Sequence, residues 1–289
     1  PIQKKNFSWT VNFNYTSIQN KVTELAPGLT EVLTATSGLE TVSRTAVGYS
    51  VGSLWLVRSA GVDPATGSRV LLNAAGQRIL YRFAPGAGQF NWSNEDGTRY
   101  NKPDGSANTI NQTADAYMYN AQPKFYGGLS NTFRYKNFDL DILLTYQGGN
   151  YVYYGSWAGL HDQRFWNNHV DVLGAWKKPG DVATVPRPVY GDNVSNGSAL
   201  AMTYSMFKGD FIKLKNVTFG YNLPSELVSK VKISSARFFV SGTNLYIFTD
   251  YPGPDPEVSS NGNTPSAPSV DRNTIANGRT ITVGLNIVF

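Results

Sequence analysis

The chain has 289 residues, with 25 basic and 20 acidic side chains for a formal net charge of +5, and it contains no Cys. The missing Cys exclude a disulfide framework, a thiolate metal site and a Cys nucleophile, and no run of about 18 apolar residues is present to cross a membrane as a helix. The positive balance is small and scattered along the sequence, which argues against a nucleic-acid footprint.

In chain order, residues 6–16 place Phe7, Trp9, Val11, Phe13 and Tyr15 on one side of a strand. Segments 50–58 and 77–83 read as weaker strands. Residues 124–135 set Phe125, Leu129, Phe133 and Tyr135 against Lys124, Tyr126, Ser130, Thr132 and Arg134. A tight Lys136-Asn137 link follows. Residues 138–147 then alternate Phe138, Leu140, Ile142, Leu144 and Tyr146 with Asp139, Asp141, Thr145 and Gln147, broken only by Leu143. Residues 211–222 keep Val217, Phe219 and Tyr221 in phase but put Lys213 and Lys215 on the same parity, which predicts a bulge. The stretch Ser225–Lys232 after Pro224 is the one helical candidate, part of a turn. Residues 236–248 and 279–289 are further strands, the last with Ile281, Val283, Leu285, Ile287 and Phe289 on one face.

Charged residues make up only 16% of the chain while aromatics reach 13%, with 17 Tyr, and the mean hydropathy is negative. Strands apolar on one face and neutral-polar on the other give this balance, and transmembrane β-barrels are the commonest such objects. Tyr135, Phe138, Tyr146, Tyr151, Tyr153, Tyr154, Tyr221, Tyr246, Phe248 and Tyr251 lie at predicted strand ends, where a membrane barrel carries its interfacial girdles. A soluble β-sandwich also places Tyr at strand ends. Connection length separates the two readings. Short links such as 136–137 alternate with long ones at 155–208 and 249–278, and structureless loops beyond about 15 residues are uncommon in compact soluble domains. With the last strand ending at the periplasm and 138–154 running outward, both long loops fall outside.

The segments PKFYGGLSNTFRYKNFDLDILLTYQGGN (123–150), FIKLKNVTFGYNLP (211–224), ISSARFFVSGTNLYIFTDYPGPDPE (233–257) and RTITVGLNIVF (279–289), with GVDPATG (61–67) and NFSWTVNFNYTSIQNKV (6–22), resemble the SusC/RagA-type TonB-linked outer-membrane transporters. The resemblance implies an all-β fold: the C-terminal strands of a transmembrane antiparallel barrel of about 22 strands, with short periplasmic turns and long extracellular loops. It implies that residues 1–289 are the C-terminal part of that barrel, seven to nine strands by a rough count, with no plug domain, and the opening Pro1-Ile2-Gln3-Lys4-Lys5, with no apolar stretch behind it, does not read as a signal segment. An open sheet edge is not tolerated in lipid, so the rest of the barrel is expected elsewhere. The expected function is TonB-dependent import of oligosaccharides or peptides across the outer membrane, with a SusD-like surface lipoprotein as lid. TonB would act through segments outside this chain. Leu285, Ile287 and Phe289 resemble the signal read by the barrel-assembly machinery, and equally the end of a buried strand.

No catalytic set emerges, and no cofactor or nucleic-acid partner is expected. His161 and His169 lie eight apart beside Asp162 and Asp171, unlike the helical spacing of a zinc hydrolase. Asp139 and Asp141 share one strand face and read as paired carboxylates or as solvated wall residues. Asp250, Asp255 and Glu257, interleaved with Pro252, Pro254 and Pro256, fit either a calcium loop or a proline-stiffened loop. The richest loop cluster, Tyr151, Tyr153, Tyr154, Trp157, His161, Arg164, Phe165 and Trp166, is the candidate surface for substrate or partner, because aromatics flanked by polar groups stack on sugars or hold peptide side chains reversibly. Two other readings stand beside the importer. One is a soluble β-sandwich binding glycan, and the other a docking component of the barrel without transport of its own.

Overall fold

The computed structural model describes residues 1–36, 40–164, 167–262 and 264–289. Seven antiparallel strands form the main sheet, or wall: β1 (Ile2–Lys4), β2 (Phe7–Ser17), β3 (Phe125–Tyr135), β4 (Phe138–Gly148), β5 (Phe211–Asn222), β6 (Ser235–Phe248) and β7 (Thr280–Val288). Their order in the sheet is their order in the chain, a meander whose edges are β7 and the β1–β2 pair. Six of them, β2 to β7, are the strands expected from alternation, within one or two residues at each end apart from the predicted run of 138–154 beyond Gly148, and β1 was not expected.

The register turns that alternation into two opposed surfaces. Trp9, Phe133, Leu140, Phe219, Val240 and Val283 face one another across six strands. The next row toward the short turns is Phe7, Tyr135, Phe138, Tyr221, Phe238 and Leu285, largely aromatic. On the other face the row Thr10, Thr132, Asp141, Thr218, Ser241 and Thr282 is wholly polar. It is knitted by Thr132 Oγ1 donating to Asp141 Oδ1 at 2.6 Å and by the Thr218–Ser241 hydroxyl pair at 2.8 Å. Leu143, the residue out of phase, lies on this polar face opposite Ser130. The apolar face is uncovered: Phe13 is 66%, Ile281 70% and Val283 63% exposed. Apolar surface of this extent marks contact with lipid or with another protein.

The predicted bulge is present. Lys215 has no partner on β4, and opposite it β6 inserts Asn244 and Leu245, with Asn244 at φ +54°. One extra residue reverses side-chain parity. Val217, Phe219 and Tyr221 therefore face the apolar side below the bulge, as Ile212 and Leu214 do above it, and Lys213 turns to the polar side.

Every short connection lies at one end of the wall and every long one at the other. The short end carries the two-residue Lys136-Asn137 turn and the turn after Pro224. There Ser225–Val228 is α-helical and Ser229–Val231 a 3-10 turn, closed by Lys232 at φ +58°. At the long end, residues 18–124, 149–210 and 249–279 leave the wall and fold together into a cap. This corrects two expectations: the excursions are not structureless, and residues 18–124 form a third one.

The first excursion holds a strand meander from Glu31–Thr36 through Trp92–Asn94, with Ala116–Tyr119 paired to Ser53–Val62. Strand 138–154 does not run on as one element. It stops at Gly148, Gly149 at φ +84° turns the chain, and Tyr151–Tyr154 joins Met206–Lys208 and Val270–Asp271 in a small three-stranded sheet. Val42, Leu54, Leu56 and Ala121 from the first excursion, Tyr153 and Ala201 from the second and Val270 from the third share one buried core. Tyr151, Tyr153, Tyr154 and Tyr251 thus belong to the cap and not to a girdle.

Candidate functional site

Sequence reasoning placed its contact residues in the second excursion, and the helix Gly155–Leu160 organises them. Trp157 on this helix packs against His161 at 4.4 Å, His169 at 5.5 Å and Phe207 at 5.6 Å between ring centroids, and Tyr154 lies 5.4 Å from Tyr251. The cluster is therefore one aromatic body that ties the second and third excursions together. Tyr153 is 1% exposed and His161 0%, so packing occupies both. Tyr151, Tyr154, Trp157 and Arg164 are half-buried and keep part of their surface open. Phe165 and Trp166 lie outside the described residues.

The polar groups of this region are paired with one another. His161 contacts the Trp157 carbonyl through Nδ1 at 2.8 Å and Asp171 through Nε2 at 2.9 Å, and His169 Nδ1 meets the other Asp171 oxygen. Burial alone would raise the Asp171 carboxyl, but the hydrogen bonds from His169 and His161 outweigh it and hold Asp171 below the usual carboxylate range. Asp162 behaves alike: against the upward pull of burial, the fork from Arg164, with Nε at 2.9 Å from Oδ1, keeps it low. Arg69, buried beside this cluster, donates from Nε to the Ser195 carbonyl at 2.6 Å and stacks 4.2 Å over Tyr204. Burial pulls its guanidinium down to about 10, so it stays charged at neutral pH.

The acidic groups of the third excursion are engaged as well. Asp255 and Glu257 close on Lys213, and Asp271 accepts from the Tyr251 hydroxyl at 2.7 Å. Burial and this carboxylate push the Tyr251 phenol well up. Among the described residues no group of three or more His, Cys, Asp or Glu could hold a metal ion. Asp139, the strand-face carboxylate, is held by Arg237 and by Asn222 Nδ2 at 3.1 Å. Leu285 and Ile287 are exposed on the apolar face of edge strand β7, with Phe289 86% exposed beyond it.

One site carried no sequence signal. A cleft of about 570 Å³ opens at the neck where the chain leaves β2 and returns before β3. Asn20, Asn120 and Gln122 hold the neck: Asn20 Nδ2 donates to Gln122 Oε1 at 3.3 Å, and Asn120 Nδ2 to the Gly149 carbonyl at 3.1 Å. Gln19, Lys21, Tyr49 and Lys124 line the remaining space, a donor-rich surface without an acid. These residues come from turns far apart in sequence, and only an enrichment in amides could have pointed to them.

A meander with one bare apolar face, one polar face and a folded cap at one end is also found as part of larger solved chains. Solved structures bear this out at the level of fold. The RagAB peptide transporter matches with a TM-score of 0.72 at 20% identity, over 99% of this chain and 28% of that one. The RagAB peptide importer in its open-open state matches with a TM-score of 0.71 at 21% identity, over 99% and 27%.

Curated relatives carry the likeness into sequence. TonB-dependent receptor P3 of Formosa agariphila is 28% identical over 303 residues, covering 100% of this chain and 27% of the receptor. TonB-dependent receptor P26 of the same organism is 30% identical over 67% of this chain and 20% of the receptor. SusC of Bacteroides thetaiotaomicron is 24% identical over 100% of this chain and 25% of that protein. No family model matches the chain. The chain is homologous over its whole length to TonB-dependent receptors of the SusC kind, and it spans about a quarter of the length of the full-coverage relatives.

Proposed function

We propose that this chain is the C-terminal part of an outer-membrane barrel of about 22 strands and that the whole imports oligosaccharides or peptides in a TonB-dependent manner. The observation that carries the reading is the uncovered apolar face, bounded by an aromatic row at the short-turn end and by Phe248, Tyr146 and Tyr15 at the cap end. Phe138 and Tyr146 lie eight residues apart on β4, about 26 Å along the strand and about 20 Å in height at a strand tilt of about 40°, which spans most of an apolar band of about 25 Å. A soluble sandwich would need a second sheet over this face, and the cap sheets instead build their own core. The two open edges would pair with further strands of the same barrel.

In this reading the short turns face the periplasm and the cap stands outside, under a SusD-like surface lipoprotein. Tyr151, Tyr154, Trp157 and Arg164, with the neck cleft at Gln19, Lys21, Tyr49 and Lys124, are the surfaces offered to substrate or lid. Stacking and hydrogen bonding there, from amide, hydroxyl and cationic donors, give oriented, reversible capture, as an importer that must release its cargo requires. Release inward would be driven by TonB through segments outside this chain. Leu285, Ile287 and Phe289 would be read by the barrel-assembly machinery. The relatives are receptors and transporters, in keeping with a role that is binding and passage and not catalysis.

The test is uptake by cells lacking the gene that encodes this chain. Loss of uptake of one class of oligosaccharide or peptide, reproduced by loss of TonB and accompanied by co-purification of a surface lipoprotein, is expected. A chain that purifies folded and monomeric in plain buffer would contradict the reading.

A further inference from the structure

The formal charge of +5 is scattered in sequence but gathered in space. Residues 2–8, 134–138 and 223–235, which form the short-turn end of the wall, hold six basic side chains and one acid, Glu226. Their surplus equals that of the entire chain, so the remainder is balanced. Lys4, Lys5, Lys136, Lys230 and Lys232 are all exposed. Among the described residues none of the five has a carboxylate within 4.0 Å.

We propose that this lysine collar binds the headgroups of anionic phospholipids. The inference rests on the barrel reading above and adds a ligand to it. Its first support is continuity with the apolar band: Lys4 pairs with Phe7, a member of the aromatic row, and Lys136 Nζ lies 5.5 Å over the ring of Tyr135 in that row. A lysine whose stem lies along an interfacial aromatic reaches the level of lipid phosphate. The second support is the turn after Pro224, where Leu227 is 55% exposed beside exposed Lys230, an apolar and cationic pairing suited to the membrane boundary. The third is room: at the turn tips a cleft of about 540 Å³, edged by Ser8 and Arg134 of the polar face, also opens on Lys4, Lys5, Phe7 and Lys136, a volume that accepts a phosphate with its glycerol. Clusters of Lys and Arg flanking an apolar span attract anionic lipid in this way, and salt weakens the attraction.

Trp9, on the apolar face in the row next to the aromatic one, is a built-in reporter. The receptor that carries this chain is reconstituted in phosphatidylethanolamine bilayers doped with brominated phosphatidylglycerol or brominated phosphatidylcholine. The Trp9 signal is isolated by difference from the Trp9→Phe variant. Phosphatidylglycerol is expected to quench with an apparent affinity about five-fold above phosphatidylcholine. That preference is expected to vanish when Lys4, Lys5, Lys136, Lys230 and Lys232 are all changed to Gln, and to return when they are all changed to Arg. Equal quenching by the two lipids, or a preference that survives the Gln variant, overturns the proposal and leaves the barrel reading standing. Quenching by neither lipid overturns both.

Discussion

Lys213 Nζ donates to Asp255 Oδ2 at 3.0 Å, with both side chains shut away from solvent. The lysine belongs to wall strand β5 and the aspartate to the third excursion, so the pair fastens cap to wall. Glu257, the lysine's second acceptor, is 37% exposed, and Asn277 Nδ2 donates to the same aspartate at 3.1 Å. Replacing Lys213 by Met leaves Asp255 buried without its counter-charge, a loss on the order of 3 kcal/mol. Hydrogen exchange should show amides around 250–258 opening at least tenfold more readily in Lys213→Met, whereas Glu257→Gln should change little. Equal protection in wild type and Lys213→Met would deny the clamp.

Acid should loosen the second excursion. Asp171 and Asp162 titrate below the ordinary carboxylate range. A depressed carboxylate contributes stability that is present above its unfolded value and fades as pH falls through the folded one. The affected window therefore lies below about pH 4. Trp157 fluorescence, with His161 stacked at 4.4 Å, should report the change. Asp171→Asn should lower protection of residues 157–172 at pH 6 and flatten the acid dependence.

Glu40 carries the opposite sign. Burial raises its carboxyl against the pull of Arg272, whose Nη1 is 3.6 Å away, and its Oε1 has no hydrogen-bond partner among the described residues. A raised carboxyl stabilises most below its unfolded value and loses that contribution as pH rises through the folded one. Glu40→Gln should therefore protect the cap strands at pH 8, by up to about 1 kcal/mol. The gain should disappear near pH 4. A variant less protected than wild type at pH 8 would show that the Arg272 pair dominates.

The wall was legible because its physics is local. One face meets an apolar environment and the other a polar one, so β4 and β7 announce themselves by period two, and Lys213 on the wrong parity even disclosed the bulge at Lys215. The cap was legible only in part: the weaker strands read at 50–58 and 77–83 are Ser53–Val62 and Arg78–Tyr81, but the rest was missed because cap strands are covered on both sides. Leu54, Trp55, Leu56 and Val57 are all buried, and a run apolar at every position shows no alternation. The short pairings of Tyr151–Tyr154 with Met206–Lys208 and Val270–Asp271 join residues more than fifty positions apart, which no window along the sequence reports. The candidate contact cluster was found as a composition of aromatics. Composition could not tell that Tyr153 and His161 point into a core while Tyr151 and Arg164 keep an open side.

The central claim is that alternate side chains of the wall meet lipid and water. It is tested most directly by single Cys substitutions along 280–288 of this Cys-free chain, spin-labelled in the reconstituted receptor and read for collision with oxygen and with a water-soluble nickel chelate. The account predicts oxygen maxima at 281, 283, 285 and 287 and nickel maxima at 282, 284 and 286. Labels that collide with the nickel chelate equally at all positions, or in the reversed phase, would contradict it.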